Sequence, residues 1–228
     1  MKRKTLDLVC FIFNIVDALL AIAGILYYYI RQLCVQMDVE PEVLNFYFTV
    51  NSNIFLAICS IFAAVFYGLS YFKDKDIPYY VSMVKLTSTT AVALTFFTTV
   101  FFLTPTFGFK DSSLLISFYT GPSLFMHVLA PVLAMVGFSL FEIQNKIQFK
   151  HVAFAIIPIV IYQIIYMSFI FATGDLHDDL YGFVHSYEGD YLHVDRAVIT
   201  TILIPIISFG LATLWWFLNK LSRKRFAK

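Results

Sequence analysis

Six long apolar segments constrain this chain more than any other feature of its sequence. They run over residues 6–30, 44–72, 79–103, 114–141, 152–173 and 197–219. Each is long enough for an α-helix to cross roughly 30 Å of hydrocarbon, which takes about twenty apolar residues. Only 14% of the residues are charged, and a soluble domain with about a quarter charged residues covers its surface far better. The sequence therefore predicts an all-α, polytopic membrane protein, a single six-helix bundle over residues 1–228.

The distribution of Lys and Arg predicts the orientation of this bundle. With a cytoplasmic N-terminus, twelve basic residues fall in inside segments, and only Arg31, Lys110 and Arg196 fall in outside loops. Basic residues concentrate on the cytoplasmic side of membrane proteins, so both termini are expected there. The simple charge layout and short loops favour a bacterial cytoplasmic membrane. A formal net charge of +1 without a basic patch argues against a nucleic-acid partner.

A polar stripe opens the second apolar segment. Its members are Asn45, Thr49, Ser52 and Asn53. Their separations of three and four residues place them on one face of a helix, whereas Asn51 points elsewhere. Polar groups at membrane depth are costly unless they face a cavity or a partner. We therefore expect the stripe to face one of these in the outer half of the bilayer.

His127 is a second polar residue at membrane depth, since it lies inside the fourth apolar segment. Gly121 and Pro122 precede it by one to two turns, and Pro131 follows four residues later. Proline removes a helical hydrogen bond and kinks the helix, which can open a pocket beside the imidazole. A histidine that merely packs between helices is the alternative, but the two prolines and the polar stripe favour a functional role.

Thr49 and His127 together suggest nucleophilic catalysis. A threonine hydroxyl attacks a carbonyl only when a base takes its proton, and His127 is the only histidine inside a predicted span. Asn45, Ser52 and Asn53 are candidates for binding an oxyanion or positioning a substrate, and Ser52 is also a rival nucleophile. A carbonyl compound at this depth is a lipid or fatty-acyl ester, so ester hydrolysis by acyl transfer is the predicted reaction. We expect neither a metal nor a cofactor.

Three further polar positions lie within predicted spans. Asp17 is near the middle of the first segment, and Asn14 occupies a neighbouring position on the same face. An intramembrane carboxylate is a functional candidate, although a buried Asp that fixes helix packing is the favoured interpretation. Lys85 lies near enough to the inner surface to extend its ammonium group into water. The alternative is a pair with Asp17, and the three residues would then form a supporting polar network.

The cysteines and the last outer loop favour structural interpretations. The three cysteines are far apart and are expected as free thiols. The acidic loop 174–196 contains three histidines. A metal site is conceivable there, but no metal-binding spacing is present, so a solvated loop is favoured. Part of this loop, residues 181–184, is also able to cover the outer mouth of the bundle as a lid.

Two short motifs resemble those of a known family. They are the element Phe48–Asn53, with the sequence Phe-Thr-Val-Asn-Ser-Asn, and a His-x-x-x-Pro element from His127 to Pro131. With six spans and 228 residues, the chain resembles the androgen-induced protein and androgen-dependent TFPI-regulating protein family, and in these motifs its bacterial relatives. The resemblance implies an intramembrane threonine hydrolase of fatty acid esters of hydroxy fatty acids, with Thr49 as nucleophile and His127 as base. The bacterial form of the motif leaves the natural lipid open.

Two other classes of protein fit the same sequence. A non-enzymatic transporter or lipid- or ligand-binding protein would use Asp17, Lys85 and the polar stripe as a buried network or an ion path. It predicts a water-filled route to both membrane faces and no closed acyl-chain pocket. A structural membrane subunit would use the polar groups as interhelical contacts and predicts no cavity. The hydrolase instead predicts that Thr49 and His127 come within hydrogen-bond reach beside a cavity open to lipid.

Overall fold

Membrane-length helices make up most of the structure, a computed structural model. It describes residues 3–35, 47–108, 112–143, 147–173, 185–186, 189–192 and 194–226. Within these ranges, six helical segments are long and apolar enough to cross a membrane. The prediction of an all-α bundle with six spans is therefore confirmed, and the chain is an integral membrane protein.

The first three spans follow the predicted segments closely. Their helices are α1 (Arg3–Val35), α2 (Phe48–Lys73) and α3 (Tyr79–Thr98), and a π-helical segment, Thr99–Gly108, extends α3. Pro78 has extended backbone and precedes α3, where its missing N–H group costs nothing. Pro105 lies inside the π-helical segment. Because proline cannot supply the backbone donor of an α-helix, regular α-helix is disfavoured there.

The fourth span differs from its prediction. Its pieces are α4 (Ser112–Tyr119), the short α5 (Gly121–Leu124), a π-helical turn (Phe125–Leu129) and α6 (Ala130–Leu140). Gly121 has a φ of +55°, which glycine adopts without a Cβ penalty, and Pro122 lies in the first turn of α5. The Gly121-Pro122 pair therefore breaks the predicted helix 114–141, and the span begins at Gly121.

The last two spans are longer than the predicted segments. A 3₁₀ segment (Phe149–Ile156) leads into α7 (Ile157–Thr173), and α8 (Val194–Phe226) ends the described chain. Between them, β1 (His185–Ser186) pairs antiparallel with β2 (Gly189–Leu192).

The helix α3 lies at the centre of the bundle and contacts α2, α6, α7 and α8. Small hydroxyl residues make much of its surface, and several are fully buried. Thr90 Oγ1 donates to the Leu86 carbonyl at 2.8 Å, and Thr99 Oγ1 donates to the Thr95 carbonyl at 3.0 Å. Small residues that bond to their own helix let neighbouring helices approach closely.

The two ends of the bundle differ in charge. At one end, Arg3 pairs with Asp76 at 2.7 Å and Lys4 pairs with Asp74 at 2.9 Å. The basic last turn of α8 lies at the same end, which we call the basic end. The starts of α2 and α5 lie at the opposite end, called the site end below. Placement of the basic end in the cytoplasm stays a prediction of the charge distribution.

Candidate active site

The structure brings Thr49 and His127 together. Thr49 lies in the first turn of α2, one residue after its start, and His127 lies in the π-helical turn before α6. The Thr49 Oγ1 atom is 3.3 Å from His127 Nε2. This is a long hydrogen bond, and catalytic hydrogen bonds are often long before a substrate binds.

The break at Gly121 explains why the two residues share a depth. From residue 114, the predicted start of the helix, His127 would lie about thirteen residues into the membrane, roughly 20 Å at 1.5 Å per residue. With the span starting at Gly121, it lies six residues in. A residue in the first turn of α2 is then within reach of the imidazole.

The backbone carbonyl of Phe118 fixes the tautomer of His127. His127 Nδ1 lies 3.3 Å from this oxygen. Because a carbonyl oxygen can only accept, Nδ1 carries the hydrogen and donates it. The Nε2 lone pair then faces Thr49, whose hydroxyl donates to it. A hydroxyl, an imidazole and a group that orients the imidazole are also the parts of a catalytic triad. Here the orienting group is a neutral backbone carbonyl from α4.

Asn53 ties the first turn of α2 to the turn that carries His127. Its Nδ2 donates to the Thr49 carbonyl at 2.8 Å and to the Met126 carbonyl at 3.1 Å, and its side chain is fully buried. Both amide hydrogens are therefore in use. The prediction that Asn53 donates to an oxyanion is not what this geometry favours, and the residue instead positions Thr49 relative to the turn that carries His127.

Ser52 lies on the same face of α2 but faces α3. Its hydroxyl donates to the Thr49 carbonyl at 3.1 Å and lies 2.9 Å from Thr95 Oγ1. Neither of these groups is a base that would activate it, so the geometry favours Thr49 as the nucleophile. Asn45, the remaining member of the predicted stripe, lies outside the described residues.

A cavity of about 470 Å³ adjoins Thr49. Its wall is mostly apolar and comes from α2, α3, the π-helical segment after α3, α7 and α8. Thr95, Tyr162 and Gln163 are among the wall residues that carry a polar group. His127 lies outside the described wall, so the Thr49 side chain connects the imidazole to the cavity.

Lys85 lies in a buried network rather than at the membrane surface. Its Nζ is 3.2 Å from Asp17 Oδ2 and 2.9 Å from Ser60 Oγ, and Ser60 in turn donates to Asp17 at 2.8 Å. Lys85 and Asp17 are only 1% and 2% exposed. The interpretation that Lys85 extends into water is therefore wrong, and the alternative pair with Asp17 is what forms.

Glu142 is a member of this network that the sequence analysis missed. Its Oε1 lies 3.8 Å from Lys85 Nζ and accepts a hydrogen bond from Asn14 Nδ2 at 3.0 Å. It lies one residue beyond the predicted segment 114–141, outside the predicted spans. The available signal was an acid between two large apolar residues at an otherwise basic membrane edge.

Gly24 is a second residue that sequence reasoning missed. A Cβ at this position of α1 would lie 2.8 Å from Phe125 Cβ and 3.0 Å from Met126 Cγ. Glycine therefore allows α1 to contact the turn that carries His127. A glycine inside a long apolar helix, where alanine is the better helix former, was the available signal.

The outer loop lies largely outside the described part of the chain. His177 and His193 are not described, and His185 is described only as part of β1. Within the described residues, no group of three or more His, Cys, Asp or Glu is placed to hold a metal ion. All three cysteines are present as thiols rather than disulfides, as predicted.

The fold and the described residues define a six-span integral membrane protein with a polar pair beside an apolar cavity. A family model described as "Protein of unknown function (DUF1600)" matches residues 121–227. This region begins at the break before α5 and includes His127, but it does not include α2 and Thr49. No curated protein matches the chain, and no solved structure matches it.

Proposed function

We propose that this protein is an intramembrane lipid-ester hydrolase in which Thr49 is the nucleophile and His127 is the base. The observation that carries the proposal is the 3.3 Å contact between Thr49 Oγ1 and His127 Nε2, at the wall of an apolar cavity. The resemblance of both motifs to the androgen-induced protein family of intramembrane threonine hydrolases supports it. A bacterial cytoplasmic membrane is the proposed location.

The first half of the reaction transfers the acyl group to Thr49. Thr49 Oγ1 attacks the ester carbonyl carbon while its proton moves to His127 Nε2. The tetrahedral intermediate collapses as the bond to the alcohol oxygen breaks. His127 returns its proton to this oxygen, so the alcohol leaves neutral and the acyl group stays on Thr49.

The second half releases the acid. A water molecule attacks the carbonyl carbon of the acyl-threonine and gives a proton to His127 Nε2. The bond between this carbon and Thr49 Oγ1 then breaks, and His127 protonates the departing Oγ1. The products are a fatty acid and the original Thr49 hydroxyl, so one ester and one water give one acid and one alcohol.

The start of α2 offers donors for the oxyanion. The first helical hydrogen bond of α2 runs from Asn51 N to Tyr47 O at 3.1 Å. The N–H groups of Thr49 and Val50 precede it and have no acceptor within the helix. In known acyl-transfer sites the nucleophile's own N–H group is such a donor, and the positive end of a helix dipole favours a developing negative charge. In this proposal the two backbone groups, rather than the Asn53 amide whose hydrogens are already in use, bind the oxyanion.

The wall of the cavity favours hydrolysis over transport. The transporter alternative predicts a water-filled route to both membrane faces. The described wall is mostly apolar and contains neither Asp17 nor Lys85. Ser60, their shared partner, follows Thr49 by eleven residues on α2, roughly 16 Å along the helix.

Labelling with an alkyl fluorophosphonate tests the nucleophile directly. Phosphorus in this probe is attacked in the same way as an ester carbonyl, and fluoride leaves. We expect purified wild-type protein to be labelled at Thr49, Thr49→Ala to lose the label, and His127→Ala to react about 10²–10⁴-fold more slowly, because the base is lost. Hydrolysis of a long-chain 4-nitrophenyl ester should fall in parallel.

Two further variants make this test specific. Thr49→Ser keeps a hydroxyl at the same place and should retain labelling, whereas Ser52→Ala should be labelled like the wild type. Label that persists in Thr49→Ala and disappears in Ser52→Ala would reject Thr49 as the nucleophile. An unlabelled, folded wild-type protein would reject the hydrolase itself.

A further inference from the structure

We infer that Gln163 selects lipid esters that carry a free hydroxyl group a few bonds from the ester. The inference rests on the proposed function and names the class of substrate for the same site. It starts from a polar side chain in the mostly apolar wall of the cavity, whose hydrogen-bonding groups the protein uses only in part.

The amide of Gln163 is held in one orientation. Its Nε2 donates to the Thr200 carbonyl at 3.0 Å. Because a carbonyl oxygen only accepts, the amide nitrogen and not the amide oxygen must face this bond. Within the described residues, this is the only hydrogen bond of the Gln163 side chain, so Oε1 and one N–H group are left over.

The unused groups of Gln163 face the cavity. The residue is only 5% exposed, yet it belongs to the cavity wall. Its Oε1 atom is not enclosed by protein, unlike the buried and unpaired Thr89 Oγ1, so it borders the open space beside it, which is the cavity. An amide that faces an apolar space without a partner is costly, and a bound molecule can supply that partner.

Gln163 differs in this respect from two other polar residues of the wall. Thr95 Oγ1 lies 2.9 Å from Ser52 Oγ, and Thr99 Oγ1 donates to the Thr95 carbonyl at 3.0 Å. Their hydroxyls are therefore engaged within the protein. Gln163 is also the only Asn or Gln in the described wall, which makes it the best placed side chain to recognise a polar group of a lipid.

An aromatic contact between α2 and α7 places Gln163 near the level of Thr49. The rings of Phe48 and Tyr162 meet edge to face, with their centroids 4.9 Å apart. Each of these aromatic residues directly precedes one of the two polar residues, and all four line the cavity. An ester held at Thr49 thus brings the atoms near its ester bond to the amide, and not its distant chain ends.

A hydroxyl group is the partner that this amide fits best. Oε1 needs a donor and the free N–H group needs an acceptor, and a hydroxyl offers both. A second ester group or a carboxylate only accepts, so it would leave Oε1 unpaired. A carboxylate would also bring a charge to a wall whose described members include no Lys, Arg or His, where an isolated charge is costly. The hydroxyl belongs either to the alcohol half of the lipid, as in a polyol ester, or to its acyl half.

Two matched pairs of esters test the inference and separate these halves. Monododecanoyl glycerol against propyl dodecanoate places hydroxyls in the alcohol half, and methyl 3-hydroxydodecanoate against methyl dodecanoate places one in the acyl half. In at least one pair, we expect wild-type kcat/KM to favour the hydroxylated ester about tenfold or more, because a site that binds a hydroxyl rejects the analogue without it. Equal kcat/KM within both pairs would overturn the inference, while the hydrolase would stand.

Gln163→Met removes the amide at nearly constant side-chain length. In the folded variant, the ratio of kcat/KM within the preferred pair should fall close to unity, while the plain ester reacts almost as in the wild type. A residue that only ties α7 to α8 would change both esters equally, so an unchanged ratio would overturn the inference. Met167→Leu, one turn further along α7 in the same wall, is the control. It exchanges apolar side chains of similar volume and should keep the wild-type ratio.

Binding of ethers keeps the inference testable if no ester is hydrolysed or if Gln163→Met does not fold. Dodecyl glycerol ether against dodecyl propyl ether, and 1-methoxydodecan-3-ol against 1-methoxydodecane, match the two ester pairs without a hydrolysable bond. In at least one pair, the hydroxylated ether should raise the thermal unfolding temperature of the wild-type protein in detergent more than its partner does. Such a preference in a protein inactive on esters would support the hydroxyl site and reject the hydrolase. Equal shifts within both pairs would overturn the site.

Discussion

At the scale of single residues, the proposed site consists of the Thr49 hydroxyl, the His127 imidazole and one backbone carbonyl. In the proposed mechanism, the imidazole that serves as base lies on a turn far away in sequence, and a backbone carbonyl rather than a carboxylate orients it. A buried carboxylate would add a second charge in an apolar setting, where isolated charges are costly. The neutral carbonyl fixes the tautomer without that cost.

Asn53→Ala tests whether positioning by the side-chain amide matters at this scale. The substitution leaves two buried carbonyl groups, those of Thr49 and Met126, without this donor. Loss of a buried hydrogen-bond partner costs about 1–3 kcal/mol, so thermal unfolding in detergent should shift downward. We also expect ester hydrolysis by the folded protein to fall roughly tenfold to a hundredfold, because misplaced catalytic groups lose rate steeply.

Asn51→Ala provides the comparison for this prediction. Asn51 is on a different face of α2, and its Nδ2 donates to the Tyr47 carbonyl at 3.0 Å. It should retain most of the activity. If Asn53→Ala hydrolyses ester at the wild-type rate once folded, then Asn53 stabilises the bundle without positioning the pair.

At the scale of elements, the irregular fourth span is the feature that makes the site possible. Gly121 turns the chain, α5 restarts it, and a π-helical turn follows at Phe125–Leu129. A π-helical turn rotates the residues that follow it relative to an α-helix, and such turns are frequent at functional sites. His127 is carried by this turn, so its direction depends on the local geometry.

Gly24→Ala tests how closely α1 supports this turn. The new Cβ would lie 2.8 Å from Phe125 Cβ, so α1 or the turn must move by several tenths of an ångström. We expect the Thr49–His127 contact to lengthen and ester hydrolysis to fall at least about tenfold, with a moderate loss of thermal stability. Fluorophosphonate labelling rates on the folded protein measure the effect on the pair itself.

Gly210→Ala is the matched control for this element. Gly210 lies inside the apolar part of α8, and a Cβ there meets no atom within 4 Å. Alanine is the better helix former, so stability should stay equal or rise and activity should not change. Equal labelling rates for Gly24→Ala and Gly210→Ala would show that the turn does not depend on close contact with α1.

The regular parts of these elements were predictable from the sequence, and the irregular parts were not. Apolar length defines a membrane span whatever its neighbours are, so all six spans were found. The Gly121-Pro122 pair predicts a kink in helix 114–141 rather than a break, because glycine adopts positive and negative φ about equally readily and its residue type does not decide between them. The pairing of Thr49 with His127 was inferred from chemistry and motif resemblance. That Asn53 Nδ2 donates to the Thr49 and Met126 carbonyls is visible only in the structure.

At the scale of the whole molecule, the charges are divided between the surface and one buried cluster. Ion pairs such as Arg3–Asp76 lie at the exposed basic end, where such pairs contribute little stability. Asp17, Lys85 and Glu142 instead join α1, α3 and the chain after α6 inside the bundle. The charge of each of these buried residues is compensated only within the cluster. Their positions in the sequence therefore did not reveal that Glu142 belongs to the cluster.

Lys85→Met tests whether this cluster holds the bundle together. Methionine has a similar length and no charge, so Asp17 and Glu142 lose the ammonium group that lies between them. Breaking a buried ion pair by removing one partner costs about 3–5 kcal/mol, and we expect thermal unfolding in detergent to occur at a markedly lower temperature. Lys150→Met, at an exposed position, should unfold like the wild type.

The double variant Lys85→Met with Asp17→Asn distinguishes charge from packing in this cluster. It removes one of the two carboxylates left without compensation and should recover part of the lost stability. Full recovery is not expected, because Glu142 keeps its charge and its bond from Asn14. The cluster lies roughly 16 Å from Thr49 along α2, so the folded fraction of each variant should react with fluorophosphonate at the wild-type rate. A Lys85→Met protein as stable as the wild type would contradict the structural role, and a folded variant that no longer reacts would place the cluster in the catalytic mechanism.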